Sequence, residues 1–194
     1  MIKLGNDYDQ VRAYDGQGFE ALPVGPHICR ILEARAEKSR EGADMIVVAF
    51  DIAENGEYDG YYKQQYERRV GYNVEAKWPG VFRTVVLTRE GKTSGFFKGL
   101  ITSVEESNAG YGFRAAGCEE TTLKGKLVGF NFGEEEWRKQ DGSVGVAVKP
   151  FYAVSVQKVR EGMEPPQRKA LNDQQAQMER RGFTRVDDDS ELPF

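Results

Sequence analysis

The sequence predicts a mainly β domain of five strands, with one helix between the third and the fourth, followed by a disordered acidic C-terminal tail. Three features predict it. Ile46, Val48, Phe50 and Ile52 alternate onto one face, the period of a half-buried strand. Phe96, Phe97, Leu100, Ile101 and Val104 recur at helical spacing behind Ser94. Beyond Gly162 hydrophobicity falls, and the chain closes on Asp187-Asp188-Asp189 and a few further residues.

Residues 1–22 mix Gly, Asp and Tyr without sustained periodicity and read as an N-terminal arm. The domain occupies residues 23–160. Its first strand spans residues 28–34, and Lys38-Ser39-Arg40-Glu41-Gly42 turns the chain into a second at residues 45–52. Asn55-Gly56 is a tight-turn signal, and residues 61–70, aromatic, basic and polar, read as the third strand. Residues 82–87 fit a short strand or a helix start. The helix covers residues 94–107, capped by Ser94 and ended by Asn108-Ala109-Gly110.

Two more strands, residues 123–132 and 144–159, are joined by a hairpin whose tip is Lys139-Gln140-Asp141-Gly142-Ser143. Val144, Val146 and Val148 face one way, Lys149 and Phe151 the other. Three strands, a connection with one helix and two further strands is the element order of an OB-fold, a five-stranded Greek-key barrel. Other small barrels with one helix share that order. Residues 161–186, punctuated by Glu164-Pro165-Pro166, read as a linker able to form a short helix, and residues 187–194 as the acidic tail.

Composition bounds the function. The 194 residues are 39% hydrophobic and 30% charged, with no apolar run near the roughly 18–20 residues of a membrane helix. The first residues lack the basic patch and apolar block of a secretory signal, and the two cysteines, Cys29 and Cys118, belong to no motif. A cytoplasmic location is the default expectation. Net charge is −4, but residues 161–194 hold eight acids against five bases, leaving 23 acids and 22 bases in residues 1–160. A near-neutral body still binds a polyanion if its bases share one face.

Catalysis finds little support. His27 is the one histidine, next to Pro26, and no nucleophile or acid partner is indicated for it. Cys29, Cys118 and His27 cannot complete a four-ligand zinc site, and Asp187-Asp188-Asp189 lacks the glycine turn and spaced ligands of a calcium loop. The expectation is a protein that is not an enzyme, with neither cofactor nor metal.

Interleaved aromatic and basic residues are the positive signal. Tyr61, Lys63, Tyr66, Arg68 and Arg69 form one cluster; Lys77 with Trp78, Arg83, then Trp137-Arg138-Lys139, and Lys149 with Phe151 form others. Single-strand binding needs cations that track phosphates and flat rings on which bases stack, each stacked base contributing roughly 1–3 kcal/mol. The hairpin near Trp137, Arg138 and Lys139 and the first turn, with Lys38 and Arg40, correspond to the loops that border the oligonucleotide groove of an OB-fold. Core packing accounts for any single Tyr or Phe equally well. Trp137 stands apart, flanked by charges near a hairpin tip.

The last residues add a second clue. Asp187, Asp188, Asp189, Glu191, Leu192, Pro193 and Phe194 combine acids with a ring and a C-terminal carboxylate, which a partner grips with an apolar pocket and a basic rim. Asp187-Asp188-Asp189-Ser190-Glu191-Leu192-Pro193-Phe194 resembles the acidic tail of bacterial single-stranded DNA-binding proteins, with Ser190-Glu191 interrupting the acidic run. Pro23-Val24-Gly25, Lys38-Ser39-Arg40-Glu41-Gly42 and Phe96-Phe97-Lys98-Gly99-Leu100 resemble phage-encoded members, a diffuse likeness over about residues 20–160. That resemblance implies an OB domain that sheathes transient single-stranded DNA and a tail that recruits replication, recombination and repair proteins. Charge complementarity further suggests that the tail occupies the groove when DNA is absent.

Two other readings stay open: an adaptor whose β-domain binds protein, and an RNA-binding OB module. An exposed barrel edge would also allow a homo-oligomer.

Overall fold

A 14-residue strand, β1 (Gly25–Lys38), is the spine of the fold. Its second half, Cys29 to Lys38, pairs with β2 (Asp44–Ile52); its first half, Gly25 to Arg30, pairs with β4 (Leu127–Arg138). β3 (Val81–Val85) lies outside β2, and β5 (Val144–Val154) outside β4, so one antiparallel sheet runs β3-β2-β1-β4-β5. The computed structural model describes residues 3, 20–54, 56–71 and 76–171. The tail at residues 187–194, most of the N-terminal arm, and Asn55 lie outside them. β3 and β5 are the two edges of an open sheet, and among the described residues no ladder joins them.

One face of the sheet carries the core. Ile46, Val48, Phe50 and Ile52 of β2 point into it, as their alternation predicts, and meet Phe82 of β3 and Phe130 and Phe132 of β4. The Phe50 and Phe130 rings lie 4.7 Å apart, and the Phe82 and Phe130 rings 5.0 Å. Helix α2 (Gly95–Ser107) closes this layer with Leu100, Ile101 and Val104. It starts behind Ser94 and ends at Asn108 as the sequence predicts. Phe96, however, is 46% exposed, so the apolar stripe is narrower than expected.

Residues 61–70 correct the sequence reading. They form a helix, α1 (Tyr61–Val70), not a strand. Gly60 before it adopts a left-handed conformation, and its N-terminus is capped from β2: Tyr62 N–H donates to Asp51 Oδ1 (2.8 Å) and Lys63 N–H to Asp51 Oδ2 (3.1 Å). A strand would send Tyr61 and Tyr62 to opposite faces, whereas the helix buries both. The third strand is instead β3, and the described residues hold helices beyond the one expected.

The other corrections concern boundaries. Residues 120–123 make a short 3₁₀ turn before β4, which then runs on to Arg138. β5 stops at Val154 and is followed by helix α3 (Val156–Glu161). Among the described residues no helix is long and apolar enough to cross a membrane.

Candidate nucleic-acid interface

The β4–β5 ladder extends beyond β1 as a hairpin, paired from Gly129↔Val154 to Arg138↔Val144. Its tip, residues 139–143, is fixed by Asp141, whose Oδ1 accepts from Ser143 N–H (2.9 Å) and the Ser143 hydroxyl (2.6 Å). These bonds hold the Asp141 carboxyl below the ordinary carboxylate range. Alternation sends Gly133, Glu135 and Trp137 to the face away from the core, together with Gly145, Ala147 and Lys149 across the ladder.

Two glycines on this face each lie under a ring. A Cβ at Gly145 would come 2.8 Å from Cε2 and Nε1 of Trp137 and 3.1 Å from Cε of Lys139. A Cβ at Gly133 would come 2.7 Å from the Phe151 ring. Trp137 remains 44% exposed, an indole held over backbone with Lys139 beside it. Phe151 differs: it is buried, with the Lys169 ammonium 3.8 Å above its ring centre. Lys149 pairs with Glu135 at 3.0 Å. Arg138 lies on the opposite face, with Val144 and Val146.

A second cluster surrounds α1. Trp78 donates from Nε1 to Phe50 O (3.0 Å), packs on the core and lies 5.4 Å from the Tyr66 ring. Lys63 reaches Glu67 one turn on, at 3.9 Å. Arg68 and Arg69 occupy the last helical turn, where cations complement the helix dipole, and Lys77 is exposed next to Trp78. Tyr61 is structural: its hydroxyl donates to Glu20 O (2.9 Å) and accepts from Leu22 N–H (3.0 Å), which ties the incoming chain to the core.

Lys38 and Arg40 sit at the β1–β2 turn, both exposed; Lys38 pairs with Asp44 at 2.6 Å. Arg83 is exposed on β3, opposite Val47 and on the face away from the core. Arg35 flanks Val47 from β1, pairing with Glu33 at 3.8 Å and with Glu37. The structure thus gathers Trp137, Lys139, Lys149 and Phe151 on one face, and Tyr66, Trp78 and the α1 cations in a second cluster.

Sequence reasoning overlooked Gly145 and Gly133. The signal was present, because counting outward from the tip at residues 139–143 pairs Trp137 with Gly145. His27 is buried, bonded through Nε2 to Pro23 O (2.8 Å), and burial lowers its pKa. Cys29 is fully buried, which raises its thiol pKa. Among the described residues no three His, Cys, Asp or Glu side chains group to hold a metal ion. No family model matches the chain, and no curated protein matches it.

Proposed function

We propose that the chain binds single-stranded DNA without sequence preference, through an OB-like sheet, and protects it during replication, recombination or repair. One observation carries the reading: Trp137, 44% exposed, lies across Gly145 at the end of the β4–β5 hairpin with a lysine beside it. An exposed indole supported from below is what an unpaired base needs for stacking, and the adjacent cation suits its phosphate. The strand order β3-β2-β1-β4-β5, with α2 between the third and fourth strands, supports the OB reading. Curling this sheet so that its edges approach gives a partly open five-stranded barrel. The acidic segment ending in Leu192-Pro193-Phe194 is the proposed docking site for partner proteins.

Intrinsic fluorescence during titration with oligo-thymidine, at low and high salt, tests the reading. Saturable quenching is expected, with log affinity falling by about 0.7 per neutralised phosphate for each unit of log salt. Quenching that survives in Trp78→Phe and disappears in Trp137→Phe assigns it to the hairpin. Absence of quenching and of a gel shift refutes DNA binding and leaves the protein-adaptor reading. Competition with a matched RNA oligomer separates DNA from RNA.

A further inference from the structure

Residues 163–171 do not leave the sheet after α3. The Asn131 amide donates to Glu164 O (3.0 Å), and Pro166 packs against the position where a Cβ of Gly133 would lie. Lys169 N–H donates to Glu134 O and Glu136 N–H to Lys169 O, both at 2.9 Å. This parallel bridge lies on the stretch of β4 beyond the β1 ladder, which ends at Gly25↔Phe132. The segment is a strap held by its own backbone.

The strap meets the main objection to a polyanion beside Trp137, the run Glu134-Glu135-Glu136. Glu135 pairs with Lys149, and the strap supplies partners for the other two. Arg168 reaches Glu136 at 2.8 Å and Glu134 at 3.5 Å, and Leu171 N–H donates to the second Glu136 oxygen at 3.2 Å. Residues 134–149 alone carry four acids against three bases; the strap adds Arg168 and Lys169 against Glu164. Lys169 also lies over Phe151, whose ring covers Gly133, so its ammonium joins Lys149 and Lys139 along Trp137's face.

We propose that the strap completes the nucleic-acid interface of the hairpin, Arg168 as a positioning residue that neutralises Glu134 and Glu136, and Lys169 as a cation facing phosphate. The proposal rests on the single-strand reading of Trp137's face. Juxtaposed like charges weaken and slow the association of charged partners, so removing a neutralising cation lowers affinity even where that cation touches no ligand.

The test is the oligo-thymidine titration on the full-length chain, with thermal melts alongside. Arg168→Gln should weaken low-salt binding by about 5- to 10-fold, as expected for exposing unpaired like charge near a polyanion. Glu134 and Glu136 project from the face opposite Trp137, but the thickness of one strand lies within a Debye length at low salt, so their unpaired charge still opposes a polyanion. Adding Glu134→Gln and Glu136→Gln to that variant should restore wild-type affinity. Lys169→Gln should flatten the salt slope by about 0.7, the value of one phosphate contact. Binding by Arg168→Gln that equals wild type overturns the proposal; so does a loss that persists in the triple variant, since Arg168 would then act only on structure. An unchanged slope in Lys169→Gln overturns the phosphate role. If wild type shows no quenching, the single-strand reading fails and the proposal with it; quenching by wild type with an unaffected Arg168→Gln overturns the proposal alone.

Discussion

Trp137 lies across Gly145, its cross-strand partner, so closely that a Cβ at 145 would stand 2.8 Å from the indole Cε2 and Nε1. The glycine here serves approach rather than backbone shape. Gly145→Ala should displace the indole, shift tryptophan emission and weaken oligo-thymidine binding by several-fold, with a stability cost of about 1–3 kcal/mol, as for overpacking at a buried position. Unchanged emission and affinity would show that the ring does not depend on the glycine.

The two tryptophans should separate by phenotype. Trp78 bonds Phe50 O and packs on the core, so Trp78→Ala should cost about 3–5 kcal/mol in urea unfolding. Trp137→Ala should cost little stability but remove the stacking of one base, about 1–3 kcal/mol of binding. The reverse pattern would relocate the interface to the α1 cluster.

Tyr61 tethers the chain entering β1 through hydrogen bonds to Glu20 and Leu22. Tyr61→Phe keeps the ring and removes the hydroxyl, leaving the buried Leu22 N–H without that acceptor. The expected loss is about 1–3 kcal/mol, with faster hydrogen exchange at Leu22. Exchange at Leu22 equal to wild type would contradict the tether.

Asp51 gives a pH signature. Burial raises its carboxyl pKa, and the N–H bonds from Tyr62, Ile52 and Lys63 with the Lys63 charge offset only part of that rise. A raised folded value means that the folded state holds the proton more tightly than the unfolded chain. The group's stabilisation is therefore complete below the ordinary carboxylate value and is lost as pH rises through the folded one. In stepped-pH urea titrations, wild-type stability relative to Asp51→Asn should fall across that window and level off above it. A relative stability that rises with pH would reverse the sign.

Much of the sheet was legible because its signals are local. The alternation at residues 46–52 places one face of β2 in the core, and the apolar spacing behind Ser94 specifies α2, although Ser94 holds the N-cap position without a side-chain cap hydrogen bond. The turn at residues 139–143 sets the hairpin register and, with it, the pairing of Trp137 and Gly145. The candidate platform was thus readable one residue at a time.

Only the tertiary structure decided the rest. α1 has no side-chain cap of its own; its first N–H groups are met by Asp51, on a strand ten residues back from Tyr61 in sequence, so nothing within residues 61–70 announces a helix. Arg168 lies 34 residues beyond Glu134 and 32 beyond Glu136, and the chain passes through β5 and α3 before the three meet. Periodicity and turn chemistry act over a few residues and can be read along the chain. A cap or an ion pair between distant residues exists only once the sheet has brought its partners together.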